Sequence, residues 1–407
     1  MRGSAAVVTV GSELTQGLRI DTNTAEIARE LSLRGFDVAE TISIGDDSEL
    51  LAVAISRLVE KHALVVTTGG LGPTHDDITR EAAARALRVA LSSDGDIIER
   101  LADVQSRHTD PAAREAVLTQ ALVLGGAEII HATTGTAPGQ IVPTAGGSLV
   151  LLPGPPAEMR PMLLRSLERF ARITAPPVEL GVTGVSESDV QHAAQRALEP
   201  FEGIILTVLA KPGDVRVLLI DDGAGAESLH EAACAVAVEV GESCYTTEGL
   251  TLPAALLQTC HAHGLTVATA ESCTGGLVSA AITDVPGASD VFLGGVVSYG
   301  NQMKMDALEV PAGLLAQYGA VSEETARAMA EGVRALSGAD LAVSVTGIAG
   351  PDGGSADKPV GLVWFAVAGE SGTSATRRLY ARGARESIRA RAASTALDLL
   401  RRAALDR

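Results

Sequence analysis

The stretch that decides the fold is Ala63-Leu64-Val65-Val66-Thr67-Thr68-Gly69-Gly70-Leu71-Gly72-Pro73-Thr74-His75-Asp76-Asp77. Its first six residues are mostly apolar or β-branched and predict a buried strand. A glycine-rich run follows this strand directly, and a helix is predicted to begin near Thr79. Because ligands of parallel α/β sheets gather at the carboxyl ends of strands, the run predicts a binding loop as well as a fold class.

The segments before this run also alternate between strand and helix. Residues 5–10 and 38–44 are short apolar runs that predict two further strands. A helix is predicted after each strand, since Ile27 and Leu31 recur at helical spacing and Leu51 begins a series at i, i+3, i+4 and i+7. The βαβαβ order predicts a parallel sheet with right-handed crossovers.

Three domains are predicted along the 407 residues, a length that exceeds what one hydrophobic core supports. Residues 1–172 form the parallel-sheet domain. Residues 178–246 follow the linker Ala175-Pro176-Pro177 and show a βαββα order, which predicts a small α+β module. Residues 250–407 return to an α/β pattern. Only 2% of residues are aromatic, so Val, Leu, Ile and Ala must build the cores, as is typical of covered parallel strands.

The charge and the termini limit the cellular setting. A net charge of −18 argues against nucleic-acid binding, because phosphate backbones repel an acidic surface. No apolar run reaches the ~18 residues of a membrane span. The start, Met1-Arg2-Gly3-Ser4 and a short apolar strand, does not fit a signal peptide. We therefore expect a cytoplasmic protein that binds neither nucleic acid nor membrane.

Two further features of the composition are the clustered arginines near the C-terminus and the spacing of the cysteines. Arginines concentrate between Arg377 and Arg402, and a solvated helix face is favoured over an anion-binding role. The four cysteines show no Cys-x-x-Cys spacing, which predicts neither a disulfide framework nor a metal site.

Three runs in the last domain combine a hydroxyl nucleophile, an amine and a glycine loop. They are Ala270-Glu271-Ser272-Cys273-Thr274-Gly275-Gly276, Ser298-Tyr299-Gly300-Asn301 with Lys304 just beyond, and Thr346-Gly347-Ile348-Ala349-Gly350-Pro351-Asp352-Gly353-Gly354. Ser272 ends a predicted strand, so we expect an exposed hydroxyl with glycine N–H groups nearby for an oxyanion. The first run alone also fits a phosphate-binding turn or a plain strand-to-helix connection.

Lys304 is the candidate base for Ser272, because no histidine falls within the second and third runs. A lysine activates serine only when neutral, which requires a pKa depressed by burial or by positive charge. A solvated surface amine is the alternative. Tyr299 is a candidate for passing or holding a proton between them. Cys273 is a competing nucleophile, but adjacent side chains diverge, so only one faces the site.

Glycine loops in both terminal domains are expected to bind phosphate. The loop at 347–354 brings backbone N–H groups to an anion, unless it is an ordinary turn. Residues 69–72 offer a similar cradle in the first domain, beside carboxylates suited to Mg²⁺ or a similar cation. These candidate metal ligands are Asp76, Asp77, Glu13 and Asp21. One of the adjacent aspartates also fits an N-cap of the next helix.

Together these runs resemble the CinA family (competence/damage-inducible protein A) over essentially the whole chain. The first domain resembles the molybdopterin-binding, MoaB/MogA-like domain through residues 68–74 and the two aspartates after them. Residues from about 250 onward resemble the nicotinamide-nucleotide amidase domain, also called PncC. The second match is specific, because the three runs and Lys358-Pro359-Val360-Gly361 occur in family order.

The resemblance implies a bifunctional pyridine-nucleotide enzyme and a homodimer. The last domain would deamidate nicotinamide mononucleotide to nicotinic acid mononucleotide and ammonia without a cofactor. Ser272 would be the nucleophile, Lys304 the base and Tyr299 an assisting group. Substrate-binding residues implied in the last domain are Thr274, Gly275, Gly276, Gly347, Gly350, Gly353, Gly354 and Lys358, and those in the first are Gly69, Gly70, Gly72 and Thr74.

For the first domain the resemblance implies a metal-dependent ADP-ribose pyrophosphatase. Here the chain carries Gly11-Ser12-Glu13-Leu14, where many relatives have an aspartate before the glutamate. The alternative is a domain that only binds a molybdopterin-like or nucleotide ligand, in a protein that regulates competence or the damage response.

Overall fold

The computed structural model describes residues 3–170, 175–381 and 383–406. They form two compact units that divide between Ala175 and Pro176, within the predicted linker. The predicted domain end at residue 172 lies outside the described residues. Both units are α/β, as the sequence predicts. No helix in the described ranges is both long and apolar enough to cross a membrane.

The first unit combines eight strands with seven α-helices in the described residues. The strands are β1 (Gly3–Val10), β2 (Phe36–Ile44), β3 (Leu64–Thr68), β4 (Leu91–Ser93), β5 (Leu122–Leu124), β6 (Glu128–Ile130), β7 (Gly139–Thr144) and β8 (Gly147–Leu152). The helices are α1 (Ser12–Thr15), α2 (Asn23–Ser32), α3 (Ser48–Lys61), α4 (Thr79–Leu87), α5 (Gly95–Arg107), α6 (Pro111–Leu118) and α7 (Pro156–Ser166).

The main sheet of this unit has the strand order β2-β1-β3-β8-β7-β6. The first four strands in that order run parallel, as predicted, while β7 and β6 add an antiparallel edge. Apolar clusters cover both faces, because side chains of one buried strand alternate between them. The carboxyl ends of β1, β3 and β8 therefore meet at one edge, where the glycine run follows β3.

The second unit begins with the predicted α+β module. Its elements are β9 (Val178–Val182), α8 (Glu187–Leu198), β10 (Ile204–Lys211), β11 (Asp214–Asp221), α9 (Ala226–Val240) and β12 (Cys244–Thr246). They form an antiparallel sheet of order β10-β11-β9-β12. The module shares a compact unit with the following residues, since Tyr245 packs in their core and Arg216 donates to the Leu250 carbonyl at 2.9 Å.

The remaining elements complete the second unit. The strands are β13 (Val267–Glu271), β14 (Phe292–Val297), β15 (Leu341–Gly347), β16 (Leu362–Gly369) and β17 (Gly372–Leu379). The helices are α10 (Leu252–His263), α11 (Leu277–Thr283), α12 (Asn301–Leu308), α13 (Ala312–Tyr318), α14 (Glu323–Ser337) and α15 (Arg385–Leu405).

The order of this sheet, β14-β13-β15-β16-β17, places the three polar runs side by side. β13 lies between β14 and β15 and runs parallel to both, whereas β16 and β17 are antiparallel. Each polar run begins at the carboxyl end of one of the three parallel strands. The topology therefore brings together residues that are far apart in the sequence.

Helices α12 and α14 pack closely against each other at Gly332. A Cβ at Gly332 would overlap the backbone carbonyl oxygen of Leu308, whereas one at Gly313 in α13 would meet nothing within 4 Å. Gly332→Ala should lower stability by about 1–3 kcal/mol despite the higher helix propensity of alanine. The control Gly313→Ala should leave the free energy of unfolding unchanged or raise it by up to about 1 kcal/mol. Urea unfolding midpoints check this, and equal midpoints would contradict the close packing.

Candidate functional site

Ser272 lies directly beyond the carboxyl end of the central parallel strand β13. Its N–H donates to the Val345 carbonyl of the neighbouring β15 at 2.9 Å, which fixes its backbone to the sheet. Its side chain is more enclosed than the sequence predicts, since the residue is only 9% exposed. The nucleophile candidate thus sits in a largely dry position.

Lys304 reaches the same point from α12, which follows the adjacent strand β14. The residue is 1% exposed, and its Nζ lies 3.0 Å from Ser272 Oγ. The amine also donates to the backbone carbonyl of Ser298 at 2.6 Å and approaches that of Tyr299 at 3.5 Å. The structure therefore brings together the predicted nucleophile and base and excludes the surface-amine alternative.

Burial of Lys304 shifts its protonation equilibrium toward the neutral amine. Burial lowers the pKa of the ammonium, opposed only by Cys273, and no carboxylate of the described residues stabilises the charge. A neutral amine has two N–H bonds and one lone pair. The two carbonyls can accept the N–H bonds, which leaves the lone pair for the Ser272 hydroxyl. This arrangement is suited to taking a proton from serine.

Cys273 packs in the apolar core of the second unit. Burial raises the pKa of its thiol to about 11, so it is protonated at neutral pH. A thiol is nucleophilic only as the thiolate. Of the two adjacent candidates, the structure favours Ser272.

The glycine turn after Ser272 differs from the expectation. Gly275 and Gly276 have positive φ angles, which explains the residue type. The Gly275 N–H, however, donates to the Ser272 carbonyl at 3.1 Å, and the Gly276 N–H donates to the Glu271 carboxylate at 2.9 Å. These N–H groups are used within the protein, contrary to the expectation that they face an oxyanion. Thr274 remains, with a buried hydroxyl that has no partner among the described residues.

Tyr299 also lies differently from the expectation. Its phenol is 60% exposed and accepts a hydrogen bond from Arg385 at 2.7 Å. Only its backbone carbonyl approaches the Lys304 amine. The phenol therefore does not bridge Ser272 and Lys304 in this structure, because it projects outward from the turn between β14 and α12.

The glycine loop after β15 is held from two sides. The Gly350 carbonyl accepts from Arg385 at 2.7 Å, and the Gly347 backbone packs too closely against Leu362 to admit a side chain. The predicted substrate-binding Lys358 donates to the Tyr318 carbonyl at 2.6 Å, at the end of α13. Its ammonium is therefore engaged in holding the loop. Gly353 and Gly354 lie in the exposed part of the same loop.

The first unit has a cavity of about 400 Å³ at the carboxyl edge of its parallel strands. The four predicted metal ligands and Gly69, Gly70 and Gly72 all line it. Gly69 and Gly70 have positive φ angles, and a side chain at Gly69 would overlap the Val10 carbonyl. The sequence thus predicts correctly which edge and which loop form the cavity.

The carboxylates in this cavity are not equivalent. Asp77 accepts from the Gly72 N–H at 2.7 Å and from the N–H and hydroxyl of Thr74 at 2.8 and 2.6 Å. Asp21 similarly accepts from the N–H and hydroxyl of Thr24 at 3.0 and 2.5 Å. Within the described ranges, no group of three or more His, Cys, Asp or Glu side chains is placed to hold a metal ion. The four carboxylates therefore do not form a preformed metal cluster in this structure, and their role as metal ligands stays a prediction.

A buried arginine behind the loop is missing from the sequence-based prediction. Arg80 is 1% exposed, and its guanidinium donates to the carbonyls of Leu71 at 2.6 Å and Gly72 at 2.8 Å. Burial lowers the pKa of Arg80, against the nearby charges of Glu81 and Asp77. The only sequence signal was its position one residue into the helix after the glycine run.

Two family models and several full-length relatives match the chain. The CinA C-terminal domain matches residues 250–404, and the probable molybdopterin binding domain matches residues 6–172. A CinA-like protein of Solibacter usitatus is 38% identical over 413 residues, which cover 98% of this chain and 97% of the relative. One of Syntrophomonas wolfei is 37% identical over 412 residues, which cover 98% of each. The chain belongs to the CinA family.

A solved structure of a CinA-family member is similar to part of the chain. The competence/damage inducible protein CihA from Agrobacterium tumefaciens is 44% identical, covers 38% of this chain and 94% of its own, and superposes with a TM-score of 0.37. In the CinA-family chain described here, the Ser272–Lys304 pair lies in the matched CinA C-terminal domain. The cavity carboxylates lie in the matched molybdopterin-binding-type domain.

Two arginines of this CinA-family chain join the three polar runs. Arg389 of α15 donates to the carbonyls of Cys273 at 3.1 Å and Thr274 at 2.7 Å, while Arg385 contacts the other two runs. Arg385 is exposed, in keeping with the predicted solvated helix face, whereas Arg389 is half-buried against the turn after β13. Their spacing of four residues at a helix start was the only available signal, and it does not show what the helix faces. Arg382, in the same cluster, lies outside the described residues.

Proposed function

We propose that the second unit of this CinA-family chain is an amidase that deamidates nicotinamide mononucleotide. The observation that carries the proposal is the 3.0 Å separation of Ser272 Oγ from a buried Lys304 amine without a carboxylate partner among the described residues. Serine with a neutral lysine as its base is an established arrangement for acyl transfer. The nucleotide substrate comes from the family resemblance of the three runs.

In the proposed reaction, the Lys304 lone pair takes the hydroxyl proton as Ser272 Oγ attacks the amide carbon. The tetrahedral intermediate collapses when Lys304 returns this proton to the amide nitrogen, so that ammonia leaves and an ester to Ser272 remains. Water then attacks the ester and gives its proton to Lys304. Release of the carboxylic acid restores the serine hydroxyl. Each proton thus passes through one amine, and no metal or redox group takes part.

The developing oxyanion requires donors other than the glycine turn. The N–H of Thr274 has no acceptor in the part of the chain that the structure describes, and it lies two residues beyond the nucleophile. Its carbonyl is held by Arg389. The positive charges of Arg385, at the glycine loop, and of Arg389, at the turn after Ser272, are suited to an anionic substrate such as a nucleotide.

We also propose that the first unit hydrolyses ADP-ribose with a divalent metal. Mg²⁺ in phosphate sites is commonly held by one or two carboxylates together with substrate phosphates, so the absence of a three-ligand cluster in the described ranges fits this mode. Glu13 and Asp76 line the cavity and would hold the ion, while Asp77 and Asp21 shape the loops. The metal would neutralise phosphate charge during attack by water.

The alternative for the first unit is binding without hydrolysis. It is favoured by the finding that Asp77 and Asp21 accept hydrogen bonds from loop and helix-start N–H groups, which leaves few carboxylates for metal chemistry. A molybdopterin-like or nucleotide ligand would then occupy the cavity, and the protein would have a regulatory role.

Removal of the two adjacent nucleophile candidates should have opposite effects. Ser272→Ala should abolish ammonia release from nicotinamide mononucleotide, whereas Cys273→Ala should keep most of it, because the buried thiol is protonated. A coupled ammonia assay on folded variants checks this. Loss of activity in Cys273→Ala with activity retained in Ser272→Ala would reverse the assignment.

The pH dependence of kcat/KM should follow the deprotonation of Lys304. Only unprotonated Lys304 accepts the serine proton, so kcat/KM should rise tenfold per pH unit and then level off. Because burial lowers the pKa of Lys304, the plateau should begin below the ordinary lysine value of 10.5. Lys304→Arg should be inactive at every pH, since guanidinium stays protonated. A pH-independent kcat/KM or an active arginine variant would refute the role of Lys304 as base.

Substitutions of the two adjacent aspartates of the first unit should distinguish a residue that holds the metal from one that stabilises the loop. Asp76→Asn should weaken Mg²⁺-dependent ADP-ribose hydrolysis at least tenfold and lower thermal stability less than Asp77→Asn does, because fewer loop N–H groups depend on Asp76. Asp77→Asn should also lower the stability of the first unit, by about 1–3 kcal/mol, because Gly72 and Thr74 donors lose their acceptor. Hydrolysis and thermal-shift assays measure both effects. Wild-type protein that binds ADP-ribose without hydrolysing it would support the binding-only alternative.

A further inference from the structure

The residue before the nucleophile is a buried carboxylate with an unusual set of donors. Glu271, the last residue of β13, is 1% exposed. Its Oε2 accepts from the N–H groups of Gly276 at 2.9 Å and Val278 at 3.1 Å. Its Oε1 accepts from the N–H of Ser279 at 2.8 Å and from the Ser279 hydroxyl at 2.7 Å. The carboxylate therefore takes the first N–H groups of α11.

Helix N-termini leave these N–H groups without partners, and a side chain at the N-cap normally accepts them. In α11 the N-cap is Gly276, which has no side chain. Glu271 performs the capping from the preceding strand, on the other side of the nucleophile. Its side chain thus closes a ring that contains the whole turn from Ser272 to Gly275.

The ring is anchored to the sheet at two further points. The hydroxyl groups of Ser279 and of Thr269 in β13 form a hydrogen bond of 2.7 Å. The backbone carbonyl of Glu271 accepts from the Ser298 N–H at 2.8 Å. Ser298 in turn presents its own carbonyl to the Lys304 amine. One residue therefore connects the nucleophile turn, the helix after it and the segment that holds the base.

We propose that Glu271 is a positioning residue, which sets the distance between Ser272 Oγ and Lys304 Nζ by capping α11 from within the sheet. The inference rests on the proposed amidase function of this pair. Because four donors share the carboxylate, Glu271 acts through the geometry of the turn and does not act as a counter-ion for Lys304. A misplacement of reacting groups by about 1 Å can cost on the order of 10²-fold in rate.

The informative variant is Glu271→Gln. An amide of the same shape fills the same space, but its NH₂ group would face N–H donors of α11 instead of accepting from them. Ser279→Ala is a milder change, since it keeps the carboxylate and removes one donor. The matched control is Asp340→Asn, because Asp340 accepts from the N–H and hydroxyl of Thr266 at 2.8 and 2.6 Å, at the opposite end of the same strand.

The experiment measures kcat and KM for nicotinamide mononucleotide in the full-length variants. It also measures the rate at which a fluorophosphonate probe labels Ser272, per folded molecule. Glu271→Gln should lower kcat and the labelling rate about 100-fold and change KM less than threefold. Ser279→Ala should lower kcat a few-fold, and Asp340→Asn should change neither kcat nor the labelling rate more than twofold. A purely structural role would instead reduce the fraction of labelled molecules and leave the rate per folded molecule unchanged.

The outcomes separate this inference from the proposed activity. Rapid probe labelling in wild type and slow labelling in Glu271→Gln would support the inference, even if wild type released no ammonia and the proposed substrate were wrong. A folded Glu271→Gln variant with kcat or labelling within threefold of wild type would overturn it. Equal losses in Glu271→Gln and Asp340→Asn would also overturn it. If Glu271→Gln did not fold, unchanged kcat and labelling in Ser279→Ala would count against it.

Discussion

The second unit is organised around a lysine amine buried against a serine hydroxyl. A lysine that is 1% exposed and has no carboxylate partner among the described residues is destabilised as an ammonium, so burial lowers the pKa of this amine. The backbone carbonyl of Ser298 satisfies part of its hydrogen-bonding capacity. The parallel pairing of β13 and β14 makes the contact possible, because Ser272 and the segment leading to Lys304 leave the same sheet edge.

Both candidate sites use acidic residues to shape a glycine loop. Glu271 accepts N–H groups of the turn after β13, and Asp77 accepts those of the loop after β3. Glycine loops expose backbone N–H groups, and a nearby carboxylate satisfies them as well as a phosphate does. An aspartate or glutamate beside such a loop can therefore either accept the loop N–H groups or bind a ligand. Only its contacts in the folded structure distinguish these two roles. Glu13 and Asp76 also line the cavity, and hydrogen bonds from Thr74 and from its own backbone lower the pKa of Asp76.

Arginines complement these carboxylates from the opposite side of the loops. Arg80 donates to the carbonyls of Leu71 and Gly72, and Arg389 donates to those of Cys273 and Thr274. In a trans peptide the C=O and N–H bonds point in opposite directions. An arginine that binds the carbonyls therefore turns the following N–H groups away from itself. In a chain with a net charge of −18, these cations also place local positive charge beside the two candidate sites.

The sequence by itself determined the α/β class, the parallel strands and the pairing of Ser272 with Lys304. Buried strands and amphipathic helices have different hydrophobic periods, and the polar runs match a family in order. It did not determine which way Tyr299, Lys358, Asp77 and Asp21 point, because only the folded chain brings their hydrogen-bond partners near them. The Tyr299 phenol meets the Arg385 side chain, and Lys358 meets the distant Tyr318 carbonyl. Tertiary structure alone placed Arg385 and Arg389 on those loops, since helical spacing shows which residues share a face but not what that face meets.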